Sequence, residues 1–165
     1  MRVAEFTRPA TWDDVLRIAR WFEESGVDYA LLGGYALAAH GLNRFTEDVD
    51  LLVNPSAANS RRWIVALAKL PDGAAKELQS DPDVFAAQRN YAIRINDEIT
   101  VDVLPAAAGK TWDELQQHIV TLDIDGVPLR VLNLEGLLET KRGLRPKDQA
   151  DAVLIERALE ALRRN

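Results

Sequence analysis

The run DVDLLV at residues 48–53 constrains the fold of this chain more than any other segment. Carboxylate and apolar residues alternate at the period of a half-buried strand, so Asp48 and Asp50 share one face while Val49, Leu51 and Val53 occupy the other. Asn54-Pro55 closes the strand. Two carboxylates side by side repel, and the pair is costly unless a cation sits between them. Oxygen ligands at this spacing suit Mg²⁺, which prefers a couple of carboxylates completed by phosphate and water.

The segment upstream fits this strand. Val27 to Leu32 is a short apolar run that stops at Gly33-Gly34, and Tyr35 to His40 reads as a short helix ended by Gly41. Glycines at such a strand-to-helix turn let backbone approach a phosphate and leave N–H groups free to meet it. Alone, a Gly-Gly pair is an ordinary turn; its place before the carboxylate strand gives it meaning. Arg44 and Thr46, between the two, either contact phosphate or order the loop.

Along the rest of the chain, Thr11 and Asp14 resemble a capping box for a first helix, with Val15, Ile18, Ala19 and Phe22 on its apolar stripe up to Gly26. Ser56 is placed to cap a helix carrying Trp63, Ile64, Leu67 and Leu70. Residues 71–88 read as irregular. Two alternating runs, 91–95 and 99–104, flank Asn96-Asp97-Glu98 and predict an antiparallel hairpin that brings a third carboxylate, Asp102, beside the first strand. Three aspartates on one sheet face would hold two metal ions, which activate an attacking oxygen and stabilise a leaving pyrophosphate.

Thr111 opens a short helix, and strands 120–124 and 127–132 turn at Asp125-Gly126. A helix is expected over 134–142, stopping at Gly143, with a last one starting at Pro146. The whole predicts an α/β fold in one domain spanning 1–165: a twisted mixed sheet with the aspartates on one face, helices on the other, and a C-terminal helical segment closing the cleft over the aspartates. The core of the domain is about 11–132 and its C-terminal helices about 133–165.

Composition narrows the chemistry. Of 165 residues 47% are hydrophobic, enough for one core, and the formal charge of −6 argues against gripping nucleic acid through the overall field. Cysteine is absent and histidine is limited to His40 and His118, so thiolate chemistry and His-rich zinc sites are excluded. His40 reads as a capping or packing residue and His118 as surface. The four tryptophans read mainly as core residues, any of which could also stack on a base. The opening residues lack a secretory pattern, and no apolar stretch approaches the roughly 20 residues of a membrane span, which points to a cytoplasmic protein without membrane partners. Lys141, Arg142, Arg145 and Lys147 form the densest basic cluster. It either serves a polyanion beside the acidic face or decorates a helix C-terminus.

The stretch LLGGYALAAHGLNRFTEDVDLLV, residues 31–53, resembles the signature of the polymerase-β-type nucleotidyltransferase superfamily: a glycine turn, an Asp-x-Asp strand, and a third aspartate on a later strand. The tail ETKRGLRPKDQAD, residues 139–151, is similar to the pattern of nucleotidyltransferases related to AbiEii toxins. A second glycine stands where a serine is common in the minimal antitoxin-type members, and the arginine that follows it there is absent.

The resemblance implies an Mg²⁺-dependent enzyme, with two ions, that moves a nucleoside monophosphate from an NTP such as ATP onto an acceptor. It implies Asp48, Asp50 and Asp102 as metal ligands, Asp102 also assisting deprotonation, and Lys141 on the triphosphate. Gly33, Gly34, Arg44, Thr46, Arg145, Lys147 and Asp148 complete the expected nucleotide site, and residues 71–88 with the C-terminal helices are left to recognise the acceptor. That acceptor could be tRNA or protein, in a toxin–antitoxin or phage-defence system with a cognate partner. It could instead be a small molecule such as an antibiotic, or the chain could be a non-catalytic antitoxin-like module.

Overall fold

A computed structural model describes residues 7–42, 44–86, 91–143 and 145–164. The first six residues, in which a secretory pattern was sought, and residues 87 and 88 of the expected irregular segment lie outside them.

The first helix, α1 (Trp12–Ser25), forms where the stripe predicts and ends at Gly26, whose φ of +67° gives the left-handed cap. Strand β1 (Tyr29–Leu32) is buried throughout and passes directly into α2 (Gly33–Ala39), so both glycines belong to the first helical turn. Strand β2 (Val49–Val53) begins one residue later than the alternation suggests, leaving Asp48 in the bend before it. Ser56 accepts a hydrogen bond from the Asn59 backbone at 3.2 Å and caps α3 (Ala57–Leu67). Within the expected irregular stretch, Ala74–Ser80 forms a 3₁₀ helix.

The predicted hairpin is β3 (Ile93–Asn96) and β4 (Thr100–Leu104). Two-residue strands β5 (Ala106–Ala107) and β6 (Lys110–Thr111) lead to α4 (Trp112–Leu115), and β7 (Ile119–Ile124) turns into β8 (Val127–Leu132). Asp125 and Gly126 both have positive φ, the geometry a tight hairpin needs. Helix α5 (Leu134–Glu139) is shorter than the sequence suggests, so Lys141 and Arg142 lie beyond its end. The last helix, α6 (Pro146–Arg163), has proline in its first turn.

Among the described residues the main sheet runs β3-β4-β2-β1-β8-β7. β1 is antiparallel to β2 and parallel to β8, while β2 and β4 are parallel, so the sheet is mixed as expected. Register sorts the two faces. Leu31, Leu51, Val103 and Val131 align across neighbouring strands, and on this side the ring of Phe22 in α1 packs edge-on against Tyr29 at 4.9 Å. Phe22 and Trp63 are fully buried, each large apolar side chain so placed contributing roughly 1.5–3 kcal/mol. The opposite face carries Leu32, Asp50, Asp102 and Arg94 in one row across β1, β2, β4 and β3. The C-terminal helix α6 lies over the polar face, where its Lys147, Asp148 and Asp151 line the same cleft as that row, in the place expected of a C-terminal helical segment that closes the cleft. No helix among the described residues is long and apolar enough to cross a membrane.

Candidate active site

The polar face opens into a cleft of about 1360 Å³, lined by every residue expected in the metal and nucleotide site: Gly33, Gly34, Arg44, Thr46, Asp48, Asp50, Asp102, Lys141, Arg145, Lys147 and Asp148; Arg142 of the basic cluster and residues 71–86 do not line it. The lining residues reach it from β1–α2, the loop before β2, β2, β4, the segment after α5, and α6. No single element could bring them together.

Asp50 and Asp102 are register partners on parallel strands, which sets their side chains next to each other. Burial pushes the Asp50 carboxyl up to about 7, helped by the charge of Asp102, a hydrogen bond shared with it, and the charge of Asp48; Lys141 opposes the shift. Neighbouring carboxylates that share a proton behave in this way. The Asp50 carboxylate sits where a Gly33 side chain would be, and a side chain on Gly34 would overlap Thr46. The glycine pair is therefore required for a second reason besides phosphate approach: it vacates the space that Asp50 and Thr46 occupy. Gly33 also holds φ at +74°, where other residues are strained. The Thr46 hydroxyl donates to the Asp48 carbonyl at 3.2 Å, tying the loop to the start of β2.

Facing the aspartates is a cluster of ion pairs. Lys141 Nζ lies 3.0 Å from Asp151 Oδ2, without hydrogen-bond alignment, and 3.6 Å from Asp148 Oδ1. Arg44 Nε donates to the other oxygen of Asp151 at 3.0 Å, and Arg145 forks onto Asp148 at 3.0 and 3.2 Å. Burial pushes the Asp148 carboxyl upward, but Arg145 and Lys141 hold it below the usual range. Lys141 is thus a largely buried ammonium, its side chain 11% exposed, fixed between two buried carboxylates. Lys141 lies just past the end of α5, and its ammonium is turned to Asp148 and Asp151 of α6. Lys147 is exposed on the cleft wall. The His40 ring is engaged at 2.8 Å with the Leu132 carbonyl, a packing role, and His118 lies against Gly136. The cleft lining contains no tryptophan among the described residues.

Other charged residues line this face that were given no role from the sequence, among them Asp151, Arg94, Glu47 and Arg157. Asp151, the last residue of the 139–151 stretch, shares a face of α6 with Asp148, three residues earlier. Arg94 is the cross-strand partner of Asp102, and counting the hairpin outward from Asn96 opposite Thr100 would have found it. Its Nε and Nη2 donate to the two Asp102 oxygens at 2.9 and 3.0 Å, and Nη2 lies 3.6 Å from Asp48 Oδ2. Phe45, also missed, exposes an apolar ring on the cleft wall.

The donor set, three carboxylates on adjacent registers and turns, suits a hard divalent cation. As the side chains stand, no group of three or more His, Cys, Asp and Glu among the described residues already converges on one point; Asp102 is instead engaged by Arg94.

Residues 14–148 match the family model described as nucleotidyl transferase AbiEii toxin, type IV toxin–antitoxin system. Among solved structures, a Thermotoga maritima protein assigned to the nucleotidyltransferases superposes with a TM-score of 0.56. It is 16% identical, over 93% of this chain and 91% of that one, which shows a common fold. An antigenic nucleotidyltransferase-like protein from Paracoccidioides brasiliensis gives 0.47 at 21% identity, over 89% and 77% of the two chains. No curated protein matches the sequence.

Proposed function

The chain belongs to the AbiEii nucleotidyl transferase toxin family, and from that premise we propose that this nucleotidyltransferase moves a nucleoside monophosphate from an NTP onto an acceptor oxygen in the cleft described above. The observation that carries the reading is the row of register-matched carboxylates, with Asp48 beside it, set against the buried Lys141 in one cleft.

Asp48, Asp50 and Asp102 would hold Mg²⁺, which when bound polarises the α-phosphate and offsets charge on the departing pyrophosphate. Asp102 takes the proton of the acceptor hydroxyl as the new oxygen–phosphorus bond forms in line with the bond to the β-phosphate, which breaks and releases pyrophosphate. Lys141, immobilised by Asp148 and Asp151, supplies fixed positive charge to the triphosphate at no cost in reorganisation. Arg44, braced on the same Asp151, Thr46, and the exposed Arg145 and Lys147 extend that charge and polarity along the nucleotide. Gly33 and Gly34 keep side chains out of its path, and Asp148 acts through Lys141.

The family's description as a type IV toxin extends to this chain as a proposal: the acceptor is a cellular macromolecule, tRNA or protein, and a cognate antitoxin is encoded with it. The exposed ring of Phe45 is placed to stack on a base of nucleotide or acceptor. The test is incubation of the protein with Mg²⁺ and each of the four α-³²P-labelled NTPs, with and without total tRNA and lysate, beside Asp48→Ala and Asp50→Ala. Label transferred by the wild type and lost in both variants is the expected result, and the labelled species identifies the acceptor class. Absence of transfer with every NTP, together with no Mg²⁺-dependent nucleotide binding by calorimetry, would leave a binding module on this fold.

A further inference from the structure

Arg94 sits on the edge strand β3 with one guanidinium spanning two of the three site carboxylates. The fork onto Asp102 uses both carboxylate oxygens, and the contact to Asp48 is within ion-pair range. The Asp102 side chain is only 13% exposed, whereas that of Arg94 is 59% exposed. The carboxylate is therefore fixed while the long cationic arm reaches it from solvent and can leave without disturbing packing. A guanidinium is a geometric match for a carboxylate's two oxygens, and a divalent cation needs those same oxygens. The two cannot both use Asp102 fully.

We propose that Arg94 is a positioning residue that serves as the site's resident counter-cation: it neutralises Asp102 and Asp48 in the resting protein and must release Asp102 before a divalent cation can load. The proposal rests on the metal-dependent reading above. It explains why three crowded carboxylates do not already converge in ligand geometry, since Asp102 is engaged by its cross-strand arginine. Release also frees Asp102 for the acceptor proton, so metal loading and exposure of the base become one event. A purely structural salt bridge makes the opposite prediction, because removing it would loosen the carboxylates and weaken any cation held by them.

The test is direct titration of Mn²⁺ alone, read by the electron paramagnetic resonance of the free ion, on wild type, Arg94→Gln and Arg94→Lys, with Asp50→Asn as the control for binding at this site. Arg94→Gln is expected to bind Mn²⁺ about fivefold more tightly or better, the effect of removing one partly exposed competing ion pair. Arg94→Lys should fall between it and the wild type, because an ammonium keeps the charge and loses the fork. The Mn²⁺-induced rise in Tm should be larger in Arg94→Gln than in wild type.

Equal or weaker Mn²⁺ binding in both Arg94 variants, with wild-type binding abolished by Asp50→Asn, overturns this inference and leaves the metal-dependent reading standing. Absence of Mn²⁺ binding in wild type and both Arg94 variants overturns the two together. Should Arg94→Gln not fold, Arg94→Lys carries the same comparison at smaller amplitude.

Discussion

Asp14 and Asp50 are carboxylates drawn into the same small fold, and they are treated in opposite ways. Asp14, 3% exposed, accepts from two Arg8 nitrogens at 2.7 and 2.9 Å, from the Thr11 backbone and hydroxyl at 2.8 and 3.1 Å, and from Arg17 at 3.1 Å. Burial pushes its carboxyl up, but these donors prevail and bring it down to about 2. Asp50 has burial acting in the same direction and finds two more carboxylates beside it, with Lys141 as the opposing charge, so its carboxyl rises to about 7. The first arrangement closes the N-terminus of α1 and ties it to the 97–99 turn through Glu98, which also pairs with Arg8 and Arg17. The second is unfavourable in isolation, as befits a site that, on the function proposed above, a bound cation would complete. Strong perturbation in a cleft marks function only when the neighbours fail to satisfy the group.

The largest effect that would sharpen this contrast is on turnover. Asp50→Asn should reduce nucleotidyl transfer by at least about a hundredfold, the scale of losing one electrostatic stabiliser of the transition state, whereas Asp14→Asn should leave the rate of the folded protein within about twofold. Equal losses in a labelled-NTP assay would break the distinction. Next in size is stability. Asp14→Ala should lower the unfolding free energy by about 2 kcal/mol, since it removes a helix cap and leaves Arg8 and Arg17 short of an acceptor; the urea midpoint at constant m-value reads this.

A smaller effect of opposite sign is expected at the site: in EDTA, Asp50→Asn should stabilise the protein by on the order of 1 kcal/mol, because an amide relieves crowded negative charge. A destabilised Asp50→Asn would show that the carboxylates are structural after all. The finest readout is the acid limb of stability. The folded value of Asp14, about 2, lies below the ordinary value of 3.8, so its stabilisation is complete above pH 4 and is lost as pH falls through 2. The wild type should lose stability over that window more steeply than Asp14→Asn, and parallel curves would remove Asp14 as the cause.

Much of this was readable in the chain itself. The stripe on α1, the Ser56 cap, the two hairpins and the Asp48–Asp50 alternation are local patterns, and local patterns survive folding because they report which face each side chain must take. The misreadings also have physical causes. The helix expected through Arg142 ends at Glu139, since Lys141 is drawn toward Asp148 and Asp151, and distant partners outrank propensity. Asp48 stays outside β2 because the loop before it is held by Thr46. Arg94 went unnoticed for lack of a register count, and Asp151, the last residue of the 139–151 tail, was given no partner because Arg44 lies 107 positions away.

By itself, then, the sequence determined the period and punctuation of each element, the acidic and basic inventory, and the order glycine turn, Asp-x-Asp, Asp, basic tail, all of which follow from side-chain direction along a single helix or strand. The tertiary structure alone decided that β4 pairs beside β2 with Asp50 opposite Asp102, that Gly33 vacates the space Asp50 fills, and that α6 returns two carboxylates to fix Lys141. Strand neighbours and charge partners are chosen by which packing buries the whole apolar face at once, a competition among long-range contacts that no local window contains.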